Sequence, residues 1–352
     1  MPGNADVYLG NNQNIGTIHL NGGRLKTGSY GYIYLGAGDY ATGRLILDSG
    51  ILDLDAPLVR AKARTAQSYV TWNGGTIRIG STWTKGEDCL FVARGSVADG
   101  TTLRTSVEVA GENCVIDLAG CPSPSIVNMP AKFEAAFNEW WGHGRLTVKG
   151  GGELVMQSFM DGIRLAIEGD GTRVTIPSEA RVYDYETCKV NCRWREPYGS
   201  SSTYNVTNSW LDSASFGSFV VGGTNCAFTC ARASTTVTST NVTVSATGVW
   251  GLGDGTLPSA MVIKDITFAD GATWKPVSLP MQVPGRLAFG ETLKVDLSGV
   301  PALNNVMATA QDGVSGDPDT TFTTRCRHAR LIVETVNGRV LLERAGAVLL
   351  IR

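Results

Sequence analysis

The chain has 352 residues and a mass of 37.3 kDa, enough for one elongated domain or two ordinary ones. Charged residues are only 18 % and the net charge is −2, which excludes the basic field of a dedicated nucleic-acid binder. No apolar run reaches the ~18 residues that a membrane helix needs. The 43 % hydrophobic content excludes global disorder.

The amino terminus, MPGNADVYLGNNQNIG, has neither a basic stretch nor an apolar core of the signal-peptide kind. It opens directly in strand and turn, so the chain is expected to be a fragment. One unit then recurs: an alternating strand, a glycine turn and another alternating strand. The copies are GTIHLNGGRLKTG, GRLILDSGILDLDA, SYVTWNGGTIRIGS, GRLTVKGGGELVMQ and RLAIEGDGTRVTI. Their turn glycines are Gly23, Gly50, Gly75, Gly152 and Gly171, the first three about 25 residues apart.

Period-2 alternation is clear within these copies. Leu45 and Leu47 share a face, as do Leu52 and Leu54, Ile116 and Leu118, Leu146 and Val148, and Leu165 and Ile167. Such alternation marks half-buried strands. Units this short cannot close a core alone, and stacking them buries one continuous apolar column. The pattern therefore predicts an all-β right-handed parallel β-helix, or β-solenoid; a run of plain hairpins in a sandwich or barrel is the rival.

One helix is expected. Asn128 can cap it, Pro130 suits an early helical position, and Phe133, Phe137, Trp140 and Trp141 form one stripe. Regularity fades after Ile176, and residues 184–218 read as an irregular insert. Strands resume near Phe219. Pro276, Pro280 and Pro284 then mark a boundary. The expected domains are 1–275, a solenoid with the insert, and 276–352, a cap or sorting-like region. Asn337-Gly338 in the tail predicts an antiparallel hairpin.

Strands ending in Asn-Gly-Gly-Arg-Leu (Asn21 to Leu25) and Asn-Gly-Gly-Thr-Ile (Asn73 to Ile77) resemble autotransporter-associated β-strand repeats. The resemblance covers roughly residues 10–180 and more faintly 220–300. It implies an exported protein of the bacterial cell surface or extracellular space with a parallel β-helix passenger. It does not imply a particular activity.

Eight cysteines are present. Cys114 follows Cys89 by one repeat period and shares parity with Ile116, so stacking sets the two side by side. Cys188 and Cys192 form one C-x3-C pair, and Cys226 and Cys230 another. Four residues of strand span ~13 Å, too far for a bridge within either pair. Bridges between the pairs, such as Cys188 to Cys226, remain open beside buried free thiols. A zinc site is the weakest alternative, because this spacing is looser than usual and no histidine is nearby.

Candidate chemistry is sparse. Gly36-Ala37-Gly38-Asp39-Tyr40-Ala41 fits a dinucleotide pattern, but a strand rather than a helix follows, so a turn is expected. The three histidines, His19, His143 and His328, lie in no metal or hydrolase motif. Asp317 and Asp319 read as solvated turn carboxylates. In the insert, Asp184, Glu186 and Glu196 gather with arginines, and paired carboxylates can hydrolyse glycosides. Trp194 and Trp210 in the same insert are candidates for stacking on sugar rings.

The expected function is a structural stalk or adhesin without catalysis, meeting a glycan or another cell-surface partner. No nucleic acid, transmembrane segment, metal or cofactor is expected. The alternative is a polysaccharide lyase or glycoside hydrolase using the insert carboxylates.

Overall fold

A computed structural model describes residues 7–27, 33–36, 40–54, 58–60, 67–79, 91–92, 103–119, 125–127, 136–156, 159–176, 213–222, 227–230, 236–252, 260–276, 280–297, 306–322 and 329–344. The chain divides into two compact units. Unit 1 comprises 1–164 with 179–214, and unit 2 comprises 165–178 with 215–352.

In unit 1 the strands run β1 Val7–Leu9, β2 Ile15–Lys26, β3 Ile33–Leu35, β4 Thr42–Leu54, β5 Leu58–Arg60, β6 Gln67–Ile79, β7 Phe91–Val92 and β8 Leu103–Asp117. They continue as β9 Ser125–Val127, β10 Ala136–Trp141, β11 Arg145–Lys149, β12 Glu153–Met156 and the start of β13 Phe159–Ile167. The short strands β1, β3, β5 and β7 form a four-stranded parallel core sheet, in which Ile33, Tyr34 and Leu35 are fully buried. The long strands form a second parallel sheet in the order β2-β4-β6-β8-β10, with β11 also paired to β8.

Parallel, nearly in-register pairing turns the period-2 pattern into continuous rows. Ile18, Leu45, Val70, Val107 and Trp140 stand side by side on five strands. So do Leu20, Leu47, Trp72 and Val109, and Leu25, Leu52, Ile77, Ile116 and Val148. From β4 onward every member of these rows is buried. Each fully buried side chain of this size contributes up to about 1.5–3 kcal/mol.

A charged row lies one position beyond the last apolar row. Lys26, Asp53, Arg78, Asp117 and Lys149 occupy matching positions on β2, β4, β6, β8 and β11, and their signs alternate. Arg24 donates to Asp53, and Arg78 Nε donates to Asp117 Oδ2 at 3.3 Å. Opposite charges in cross-strand positions favour this register over a slip that would place like charges together.

In unit 2, β14 Arg173–Ile176, β15 Ser213–Val221, β16 Ala227–Cys230, β17 Thr236–Val244, β18 Val249–Leu252, β19 Ala260–Phe268 and β20 Ala272–Lys275 follow. The chain ends with β21 Met281–Val283, β22 Leu287–Phe289, β23 Thr292–Val295, β24 Val306–Ala310, β25 Val314–Ser315, β26 Asp319–Phe322, β27 Ala329–Glu334 and β28 Arg339–Arg344. One sheet has the order β15-β17-β19-β21-β24-β28-β27 and the other β14-β16-β18-β20-β23-β26. Val174, Phe228, Trp250, Trp274 and Val295 form an in-register row through the second sheet. The final pair β27 and β28 is antiparallel and turns at Asn337-Gly338.

The expected right-handed parallel β-helix with one short helix is corrected. There is no helix among the described residues, and the strands do not repeat one clear right-handed coil. A separate four-stranded core sheet with strands of two or three residues accompanies strands of 12 to 15 residues. The ladders also slip at Leu20/Asn21 and Trp72/Gly74. The expected helix is a strand where it is described: Ala136–Trp141 is β10, parallel to β8. Trp140 faces inward at 0 % exposure and Trp141 outward at 38 %, as strand alternation requires. The Val107 row offered Trp140 a place that a helical stripe could not match, and tertiary packing overrode the local helix signals.

Candidate functional site

The outward face of the β2-β4-β6-β8-β10 sheet in unit 1 carries the chemistry that the described residues offer. Positions alternating with the buried rows place Thr17, Arg44, Tyr69 and Ser106 in one row. His19, Ile46, Thr71, Glu108 and Trp141 form the next.

Two aromatic rings stand on this face. Tyr69 is 39 % exposed and its hydroxyl donates to Gln67 Oε1 at 2.8 Å. The Arg44 guanidinium carbon lies 6.0 Å from the centre of the Tyr69 ring. Trp141 Nε1 donates to Ser106 Oγ at 2.8 Å. These bonds fix the rings while leaving part of each to solvent. Tyr69 and Trp141 sit two strands apart, a separation of ~10 Å in the pairing direction. Exposed rings beside hydroxyl, guanidinium and carboxylate groups suit an amphipathic ligand with apolar faces and polar edges.

Beside the rings, at the turn of β2 and β4, lies a polar cluster. His19 Nε2 is 2.5 Å from Asp48 Oδ2, and Asn73 Nδ2 donates to Asp48 Oδ1 at 2.7 Å. Ser49 Oγ donates to Asn21 Oδ1 at 3.2 Å. The bonds from Asn73 and then His19 hold the Asp48 carboxyl below its ordinary pKa. A carboxylate orienting an imidazole is two-thirds of a nucleophilic relay. The third part is not assembled, because the neighbouring Ser49 hydroxyl is turned to Asn21. The cluster instead ties three strands together by hydrogen bonds.

A second cluster joins later strands. Arg164 donates to Glu112 and, through Nε, to the His143 carbonyl oxygen at 2.9 Å. Among the described residues no group of three or more His, Cys, Asp or Glu side chains is placed to hold a metal ion.

The insert carboxylates Asp184, Glu186 and Glu196 and the tryptophans Trp194 and Trp210 lie outside the described residues. So do Cys89, Cys188, Cys192 and Cys226. Cys230 ends β16, in register with Ile176 and Leu252. Cys114 is a buried free thiol, with Sγ 3.2 Å from the Trp72 carbonyl oxygen. Burial pushes that thiol up to about 11.

Tyr69 and Trp141 are not among the site residues expected from the sequence. Parity with Val70 assigns Tyr69 to the outside, so that signal was present in the sequence. Trp141 was hidden by the expected helix, which put both tryptophans on one stripe. The chain matches no family model, no curated protein and no solved structure.

Proposed function

We propose that the chain is a non-catalytic structural and adhesive part of an exported bacterial surface protein, with a glycan as its partner. The observation that carries this reading is the outward face of the β2-to-β10 sheet. There Tyr69 and Trp141 present partly exposed rings among Arg44, Ser106, Thr71 and Glu108. The rings sit on strands whose other face is a fully buried apolar ladder. A ligand therefore meets positions that are already ordered, which lowers the entropy cost of binding.

The surface setting rests on the repeat resemblance. The stalk role is supported by the in-register rows, which couple each strand to its neighbours along unit 1. The test is a glycan array with the purified chain, read for both retention and cleavage. Retention without products, lost in Tyr69→Ala and Trp141→Ala with the circular dichroism spectrum unchanged, supports the reading. Retention unchanged in both variants removes the face from it. Glycan cleavage overturns the non-catalytic role and directs substitution to Asp184, Glu186 and Glu196.

A further inference from the structure

We propose that the outward face of the β2-to-β10 sheet takes an acidic glycan in which a uronic acid, with its carboxylate on Arg44, alternates with a sugar that carries no acid. The inference rests on the reading of that face as a glycan site and names the class of glycan.

The first observation is the setting of Arg44. It is exposed on β4 and stands in register between Thr17 and Tyr69. Among the described residues it makes no ion pair. Asp48, the nearest acid on its own strand, is occupied by Asn73 and His19. The guanidinium carbon is 6.0 Å from the Tyr69 ring centre, the outer limit of a cation–π contact, so the N–H fork is not closed onto the ring. That fork matches a planar carboxylate through two parallel N–H bonds.

The second observation is the ring beside the cation. A uronic acid has a face of C–H groups and a carboxylate fixed directly to a ring carbon. Stacked on Tyr69, it carries that carboxylate at its edge, toward Arg44 on the neighbouring strand ~4.8 Å away. A sulfate ester stands off the sugar through a further oxygen and is not planar, so it suits the fork less well. A neutral sugar fills the stack and leaves Arg44 unused.

The third observation is the opposite sign at the other ring. Trp141 stands in register between Glu108 on β8 and Asp161 on β13. Among the described residues neither acid is in an ion pair. Their carboxylates accept hydrogen bonds from hydroxyl and amide groups and repel another carboxylate. The face is therefore cationic beside Tyr69 and anionic around Trp141, two strands on. A polymer of uronic acid alone brings a carboxylate to both rings, whereas an alternating one satisfies both ends.

The test is calorimetric titration of the full chain with hyaluronan oligosaccharides, in which glucuronate alternates with N-acetylglucosamine. The comparison probes are their carboxyl-reduced form, oligogalacturonate and sulfated cello-oligosaccharides. Hyaluronan oligosaccharides should bind about tenfold more tightly than each of these. Arg44→Gln, checked for an unchanged circular dichroism spectrum, should abolish the preference over the carboxyl-reduced form. Glu108→Gln combined with Asp161→Asn should narrow the gap to oligogalacturonate. Equal binding of the native and carboxyl-reduced forms, or hyaluronan binding unchanged in Arg44→Gln, overturns the inference. If that binding is still lost in Tyr69→Ala, the glycan face itself stands. Tighter binding of the sulfated probe overturns the carboxylate assignment. Binding of none of these glycans, with none retained on the array, overturns the inference and the reading of the face together.

Discussion

Phe228 and Trp250 stand in register on the neighbouring strands β16 and β18, with ring centroids 4.8 Å apart and planes inclined by 30°. Both are buried, and Trp274 continues the row on β20. The row fills the interior of unit 2 with aromatic surface, so a truncation there leaves a cavity. Trp250→Ala should cost about 3–5 kcal/mol, measured by chemical denaturation of unit 2 signals. Trp141→Ala removes the same side chain from a partly exposed position and should cost well under half as much. Similar costs at the two sites would contradict the inward and outward assignments.

The Asp48 carboxyl is held below its ordinary value by Asn73 and His19. A depressed folded-state pKa adds stability that is present above the unfolded value of ~3.9. That contribution is lost as pH falls through the lower folded value. The wild type should therefore be more stable than Asp48→Asn at pH 6, and the difference should shrink toward pH 2. Melting midpoints of both chains across that range measure it. A difference independent of pH would show that the carboxylate charge is irrelevant to the cluster.

Glycine is needed twice over at Gly50. Its φ is +89°, and an added Cβ would press on the Gly23 carbonyl oxygen. Gly23 has φ +72° but open space around the position of a Cβ. Gly23→Ala should then cost about 1–2 kcal/mol from backbone strain alone. Gly50→Ala should cost more, because the clash with backbone is added. Paired denaturation curves give the order, and a reversed order would remove the turn-on-turn contact.

Cys114 should be a poor nucleophile in the folded chain. Its pKa of about 11 leaves little thiolate at neutral pH, and the side chain is out of solvent. Site-resolved mass spectrometry after iodoacetamide treatment should find Cys114 unmodified until denaturant is added. Rapid labelling of the native chain at pH 7.5 would mean that this part of β8 opens readily.

Much of the strand pattern was legible in the sequence. Leu45, Leu47, Leu52, Ile116 and Val148 share their faces by parity alone, and all are buried. At Ala136–Trp141 parity competed with capping and helical-stripe signals, and the wrong period was chosen. The face bearing Tyr69 and Trp141 was missed because a site on a sheet is a relation between strands. Tyr69 and Trp141 are 72 positions apart in sequence and two strands apart in space.

The sequence by itself determined which side chains alternate, where glycine turns fall and that the chain is rich in strands. Those are local properties, set by side-chain period and by the φ freedom of glycine. Tertiary structure alone decided the sheet order, the separate four-stranded core sheet and the alternating row from Lys26 to Lys149. Register decided these, because parallel pairing aligns residues 25 to 39 positions apart and a local pattern carries no record of its neighbour.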